Sequence, residues 1–109
     1  MRRDSTRFIS NQHEKRTAKN IGGKVQTSSG SSAFLKGDVF TDKCLVECKT
    51  CMKEKQSFSI KKEWLDKIEE QCISMGKIYP ILAFDFGDGE NFYIINEKTM
   101  KSFVEFLDE

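Results

Sequence analysis

The stretch "IYPILAFDF" (residues 78–86) constrains this chain more than any other. It is almost continuously apolar and lacks the alternation of a strand with one wet face. It is also far too short to cross a bilayer. Such a run predicts an inner strand covered on both faces. Asp88-Gly89 then predicts a tight turn, with "NFYII" (91–95) returning as the hairpin partner. Upstream, "FSIKKEWLDKIEEQCISMG" predicts an extended lead that becomes a helix. There Trp64, Leu65, Ile68 and Cys72 recur at spacings of three and four, and Gly76 ends the run. Downstream, Met100, Phe103, Val104 and Leu107 keep helical spacing and predict a final helix packed on the sheet.

The first half reads in the same way. Residues about 5–21 predict a helix, with Phe8, Ile9 and Ile21 as apolar markers and Gly22-Gly23 as its stop. "KVQTS" (24–28) is strand-like, "SSGSS" (28–32) is a polar loop, and "MKEKQS" (52–57) is a polar connector. Between them, "KGDVFTDKCLVECK" (36–49) predicts two strands around a tight turn. The order is α-β-β-β-α-β-β-α, an α/β fold with a mixed central sheet flanked by helices. A length of 109 residues suits one domain, and the nine phenylalanines offer bulk for a single core.

Net charge is only +1, but its distribution is uneven. Residues 1–24 hold seven Lys/Arg against two acids, and the remainder holds eleven against fifteen. A basic N-terminal arm, about residues 1–10, on a mildly acidic body is a candidate polyanion contact, or simply a solvated terminus. "MRRDSTRFIS" has no apolar segment behind its basic residues, so no signal peptide is read. A soluble, cytoplasmic protein without a membrane partner is expected.

Four cysteines stand at 44, 48, 51 and 72. Cys48-x-x-Cys51 invites a zinc or redox reading. However, Cys44 and Cys48 lie four residues apart on a predicted strand, about 13 Å at ~3.3 Å per residue. They cannot share one tetrahedral ion without breaking that strand, and His13 is the only histidine. Ordinary buried thiols are the expected state.

The hairpin carries the chemistry. With Asp42-Lys43 as a two-residue turn, Phe40 faces Leu45, Val39 faces Val46, and Asp38 faces Glu47. Directly opposed Cβ atoms are about 4.5–5.5 Å apart, and like charges there are destabilising. Alternation puts Lys49 on the face of Glu47 and Asp38, and turns Val46 and Cys48 into the core. Three things relieve the repulsion: one acid stays protonated, Lys49 neutralises part of it, or a divalent cation sits between the acids. Oxygen ligands at this spacing suit a hard ion, Mg²⁺ or Mn²⁺. The plainer alternative is an amphipathic hairpin whose polar face is wet. Glu14, the serine-rich loop, and Lys61 with Lys62 at the start of the second helix are further candidates. The loop's amides and hydroxyls and the two lysines can meet phosphate oxygens. Each also has a bland reading as helix surface, linker or solvated charge.

Taken together, Glu14, "SSGSS", "GD" (37–38) and "VECK" (46–49) resemble the PD-(D/E)-x-K nuclease superfamily, and within it the Holliday-junction resolvases of archaeal and phage type. The likeness runs over roughly residues 10–95. It includes the order of elements and the lysine-rich "SIKKEW" before the helix that follows the catalytic strand. The resemblance implies a restriction-endonuclease-like α-β-β-β-α-β core. It also implies that Asp38 and Glu47, helped by the Cys48 backbone carbonyl, hold the metal. Lys49 would orient the attacking water or stabilise developing charge, and Glu14 would support the metal or its water shell. Ser31 would match a loop serine near the scissile phosphate. Arg2, Arg3, Arg7, Lys15, Arg16, Ser29, Lys61 and Lys62 would meet the DNA backbone. The chain departs from the pattern twice: Gly37 stands where the motif has proline, and Trp64 where a glutamine follows "K-K-E".

The activity so implied is Mg²⁺-dependent hydrolysis of phosphodiester bonds at four-way junctions, leaving a 5′-phosphate and a 3′-hydroxyl. Mn²⁺ would substitute. Two symmetric nicks imply a homodimer, and the setting would be DNA recombination and repair. The rivals are another nuclease of the superfamily (nickase, flap or restriction-type) and a non-catalytic DNA-binding module on the same fold.

Overall fold

The computed structural model describes residues 2–26 and 38–109, with side chains from residue 7 onward. Its elements are α1 (Arg2–Ile21), β1 (Lys24–Val25), β2 (Asp38–Phe40), β3 (Cys44–Thr50), α2 (Lys62–Ser74), β4 (Tyr79–Asp85), β5 (Asn91–Ile95) and α3 (Glu97–Leu107). This is the predicted order. The strands form one sheet in the order β1-β2-β3-β4-β5. Only β3 and β4 run parallel, and the other neighbours are antiparallel. A parallel pair needs a long return, which α2 supplies.

The apolar run at 78–86 forms β4, between β3 and β5, with Leu82 and Ala83 fully buried. Side chains alternate between two covered faces. On one, Val39, Val46 and Ala83 meet Ala18 of α1. On the other, Leu82 shares a small apolar cleft with Leu65 and Ile68 of α2. Gly76, at φ +71°, takes the left-handed conformation that ends α2. Asn96 caps α3 by accepting a 2.8 Å hydrogen bond from the Thr99 amide.

Four expectations are revised. α1 starts at Arg2, so the basic stretch read as an arm over about 1–10 is helical from Arg2 and continuous with the rest of α1. The strand expected over 24–28 is only Lys24–Val25; Gln26 follows it, and 27–28 lie outside the described residues. The core is aliphatic, because no phenylalanine among the described residues is fully buried. Instead Phe58, Phe84, Phe86 and Phe92 form a cluster at the end of β4, with neighbouring ring centroids 5.4–6.5 Å apart. Finally, α3 has its amphipathic spacing but buries only Thr99; Met100, Phe103, Val104 and Leu107 stand exposed. No helix among the described residues is long and apolar enough to cross a membrane.

Candidate active site

The β2–β3 hairpin sets the site. Thr41 closes its turn: its amide donates to the Cys44 carbonyl at 3.0 Å, and its hydroxyl accepts from the Cys44 amide at 3.1 Å. That closure fixes the register, with Phe40 opposite Leu45, Val39 opposite Val46 and Asp38 opposite Glu47. The two acids therefore meet across one rung, as the turn predicts.

The face that carries them is not wet. Asp38 is only 3% exposed, whereas Glu47 and Lys49 are half-buried, so at Asp38 the hairpin is not the plain solvated face of the alternative reading. One of its oxygens, Oδ2, is buried without a hydrogen-bond partner among the described residues. Burial, then the Glu47 charge, then that of Glu14, push the Asp38 carboxyl up to about 8, against a smaller pull from Lys67 and Lys49. The Cys48 thiol is pushed up to about 12, mainly by burial and further by Glu14, Asp38 and Glu47, against a hydrogen bond from Thr17. Glu14 and Glu47 act on both groups, so α1 and the hairpin bring their charges to one place. Cys48 is a neutral thiol there, and all four cysteines are free.

Lys49 joins the acids from two positions along β3. Its Nζ lies 3.0 Å from Glu47 Oε2 and 4.5 Å from the centroid of the Trp64 ring. Lys61 reaches the same ring at 5.9 Å. The indole at the position where the resemblance expects glutamine is thus a cation platform beneath Lys49. Sequence reading missed this function, and it also missed Lys67, whose charge reaches Asp38 from α2.

It missed a second polar group as well. At the same end of the sheet, on the α1 face, Asp85 is almost fully buried. It accepts from Arg16 Nη2 at 2.6 Å, from the Gly87 amide at 3.1 Å, and from the Thr50 hydroxyl. Asn91 Oδ1 accepts from Arg16 at 3.0 Å and from His13 Nε2 at 2.9 Å, while its amide donates to Thr17 Oγ1 at 2.8 Å. A carbonyl oxygen only accepts, so His13 carries its proton on Nε2. Burial holds the His13 pKa below the usual imidazole range. For Asp85, burial pulls upward, but hydrogen bonds from Thr50, Gly87 and Arg16 and the electrostatic effect of His13 prevail and hold it below the usual carboxylate range. Gly87, at φ +90°, has no room for a side chain, because a Cβ would meet the Lys53 backbone. This network pins His13, Arg16 and Thr17 to the ends of β3, β4 and β5. Glu14 lies between them in sequence, so its approach to Asp38 is fixed by the same contacts.

The remaining predicted residues are placed as follows. Arg7, Lys15, Lys61 and Lys62 are exposed, and Lys62 pairs with Asp66 one turn on at 3.1 Å. Arg16, read from the sequence as a backbone contact, instead turns inward to Asp85. The side chains of Arg2 and Arg3, and the whole of Ser29, Ser31 and Gly37, lie outside the described residues.

Among the described residues no three His, Cys, Asp or Glu side chains gather closely enough to form a metal group by themselves. A pair of carboxylates is nevertheless the habitual protein share of a Mg²⁺ site, with water and phosphate oxygens completing the octahedron. The buried, unpartnered Asp38 Oδ2 beside Glu47 fits that donor set, and a neutral Cys48 thiol does not favour zinc. Known protein families, curated proteins and solved structures yield no match to this chain.

Proposed function

We propose that this protein is a Mg²⁺-dependent DNA endonuclease selective for branched DNA, a Holliday-junction resolvase, acting in the cytoplasm on a restriction-endonuclease-like core made by α1 through β4. One observation carries the reading: a buried Asp38 oxygen with no donor among the described residues, facing Glu47 across a rung, with Lys49 in contact with Glu47. Two acids this close, one of them desolvated, are relieved by a hard cation.

Asp38 and Glu47 would hold the ion with the Cys48 carbonyl, and Glu14 would bond its water shell. When bound, Mg²⁺, or Mn²⁺ in its place, would supply Lewis-acid chemistry toward a phosphate oxygen and an activated water. The protein's own part is positional and electrostatic. Lys49, held between Glu47 and Trp64, presents one ammonium to the charge that develops on the phosphate. Arg7, Lys15, Lys61 and Lys62 are exposed to meet backbone phosphates, a contact that reads shape rather than sequence and weakens with salt. Two symmetric nicks call for two sites, hence a homodimer.

The test compares Mg²⁺-dependent cleavage of an immobile four-way junction with that of linear duplex, flap and single strand. Preferential paired nicking of the junction supports the reading. Faster cleavage of another substrate moves the assignment to a different nuclease of this kind, and tight junction binding without cleavage of any substrate leaves a binding module.

A further inference from the structure

α3 is an apolar helix without a cover. Eleven residues are too few to hold a helix in water unaided, so its apolar stripe needs burial. Yet Met100, Phe103, Val104, Phe106 and Leu107 are 40–67% exposed, and Tyr93 of β5 beside them is 41% exposed. At about 150–250 Å² for a large side chain, these fractions amount to roughly 460–770 Å² of largely apolar surface. That is the upper end of what a lone protein shows, and most of the ~800 Å² that each partner gives to a standard interface.

The shape says what covers it. Phe103 and Phe106 form one wall of an open groove of about 560 Å³, and Tyr79, Ile81, Tyr93 and Ile95 form the other. Ridge and receptor therefore lie on the same patch, which is the requirement for a two-fold contact. No charged residue among the described residues lines the groove. Side chains near a two-fold axis meet their own copies, so a neutral lining avoids self-repulsion there, and a lining without Lys or Arg among the described residues is a poor DNA contact.

We propose that two copies of this chain pair through α3, each laying Phe103, Phe106 and Leu107 against the groove of the other. The groove lies at the Cys44–Tyr79 end of the parallel strands, whereas Lys49 and Asp38 lie toward the opposite end. Pairing therefore leaves both acid sites open. The number of copies follows the proposed function, while the surface is argued from its own shape and area.

Sedimentation velocity without DNA or metal tests this. The wild-type chain is expected at twice its 12.6 kDa mass across micromolar concentrations. Phe106→Glu and Leu107→Glu change well-exposed positions, and each should weaken association on the order of a hundredfold with unchanged helical circular dichroism. Lys101→Glu, on the polar side of α3, should remain dimeric. A monomeric wild type, a larger assembly, or a dimer indifferent to both α3 changes would overturn the interface. Such results leave the cleavage reading untouched, because that is judged on DNA with Mg²⁺; equally, an inactive dimer would leave the interface standing.

Discussion

Asp38 and Glu47 face each other across the rung where the β2–β3 ladder begins, and Asp38, the more deeply buried, keeps one oxygen that no donor among the described residues reaches. The hairpin turn enforces the meeting, so the fold itself maintains the charge conflict.

The first consequence is a pH dependence of the metal-free protein. The Asp38 carboxyl is raised to about 8 from an ordinary 3.8. The folded state therefore holds a proton that the unfolded chain has released, and stability falls as pH rises from about 4 to about 8. Asp38→Asn removes this slope and should melt above wild type at pH 8. Thermal melts in chelator from pH 5 to 9 read it; a mutant less stable than wild type at pH 8 would show that the Asp38 charge is already satisfied.

Mg²⁺ should reverse that penalty. At ten times its Kd, a ligand of the folded state adds about 1.4 kcal/mol, or roughly 5–10 °C in Tm for a domain of this size. Because a proton must leave Asp38 for the ion to bind, the shift should be larger at pH 8.5 than at pH 6. Differential scanning fluorimetry of wild type and Asp38→Asn checks this, and the mutant should show no shift at either pH.

Trp64 is the sole tryptophan, and its ring lies under Lys49. Its emission should therefore change when Mg²⁺ or junction DNA fills the site. Lys49→Met should lower the cleavage rate on the order of 10²–10³-fold with junction affinity kept, while Trp64→Leu should cost about fivefold, since it removes a platform worth about 1 kcal/mol. Single-turnover rates and fluorescence titration separate these effects.

The Asp85 network should govern stability on the acid side. Its lowered pKa means its contribution is present above an ordinary carboxylate pKa and lost as pH falls through the folded value. Asp85→Ala removes the buried carboxylate that Arg16, the Thr50 hydroxyl and the Gly87 amide share and should cost about 3 kcal/mol or more. Urea unfolding at pH 7 measures it; a loss under 1 kcal/mol would contradict the account.

The outline of this fold is legible in the sequence because its signals are local. The apolar run at 78–86, the glycine stops and the Asp42-Lys43 turn fix the order of elements, and the turn alone yields the pairing of Asp38 with Glu47. Depth was not legible: alternation places Asp38 on the face opposite Val39, but only the assembled domain shows that this face is also covered. The Asp85 network escaped for a related reason. Asp85 ends an apolar strand and precedes a turn, so it reads as turn chemistry, and its partners Arg16, Thr50 and Asn91 lie 35 or more residues away or across the sheet. Arg16 looked like one of several basic surface residues until its acceptor was in place. For α3, helical spacing reveals an apolar stripe but not what it meets.

The most direct test incubates a labelled immobile four-way junction with wild type, Asp38→Ala and Glu47→Ala, each with Mg²⁺ and with chelator. The account predicts paired nicks by wild type in Mg²⁺ alone, and junction binding without cleavage by both mutants. Full cleavage by either mutant, cleavage in chelator, or no cleavage by wild type on any branched DNA would contradict it.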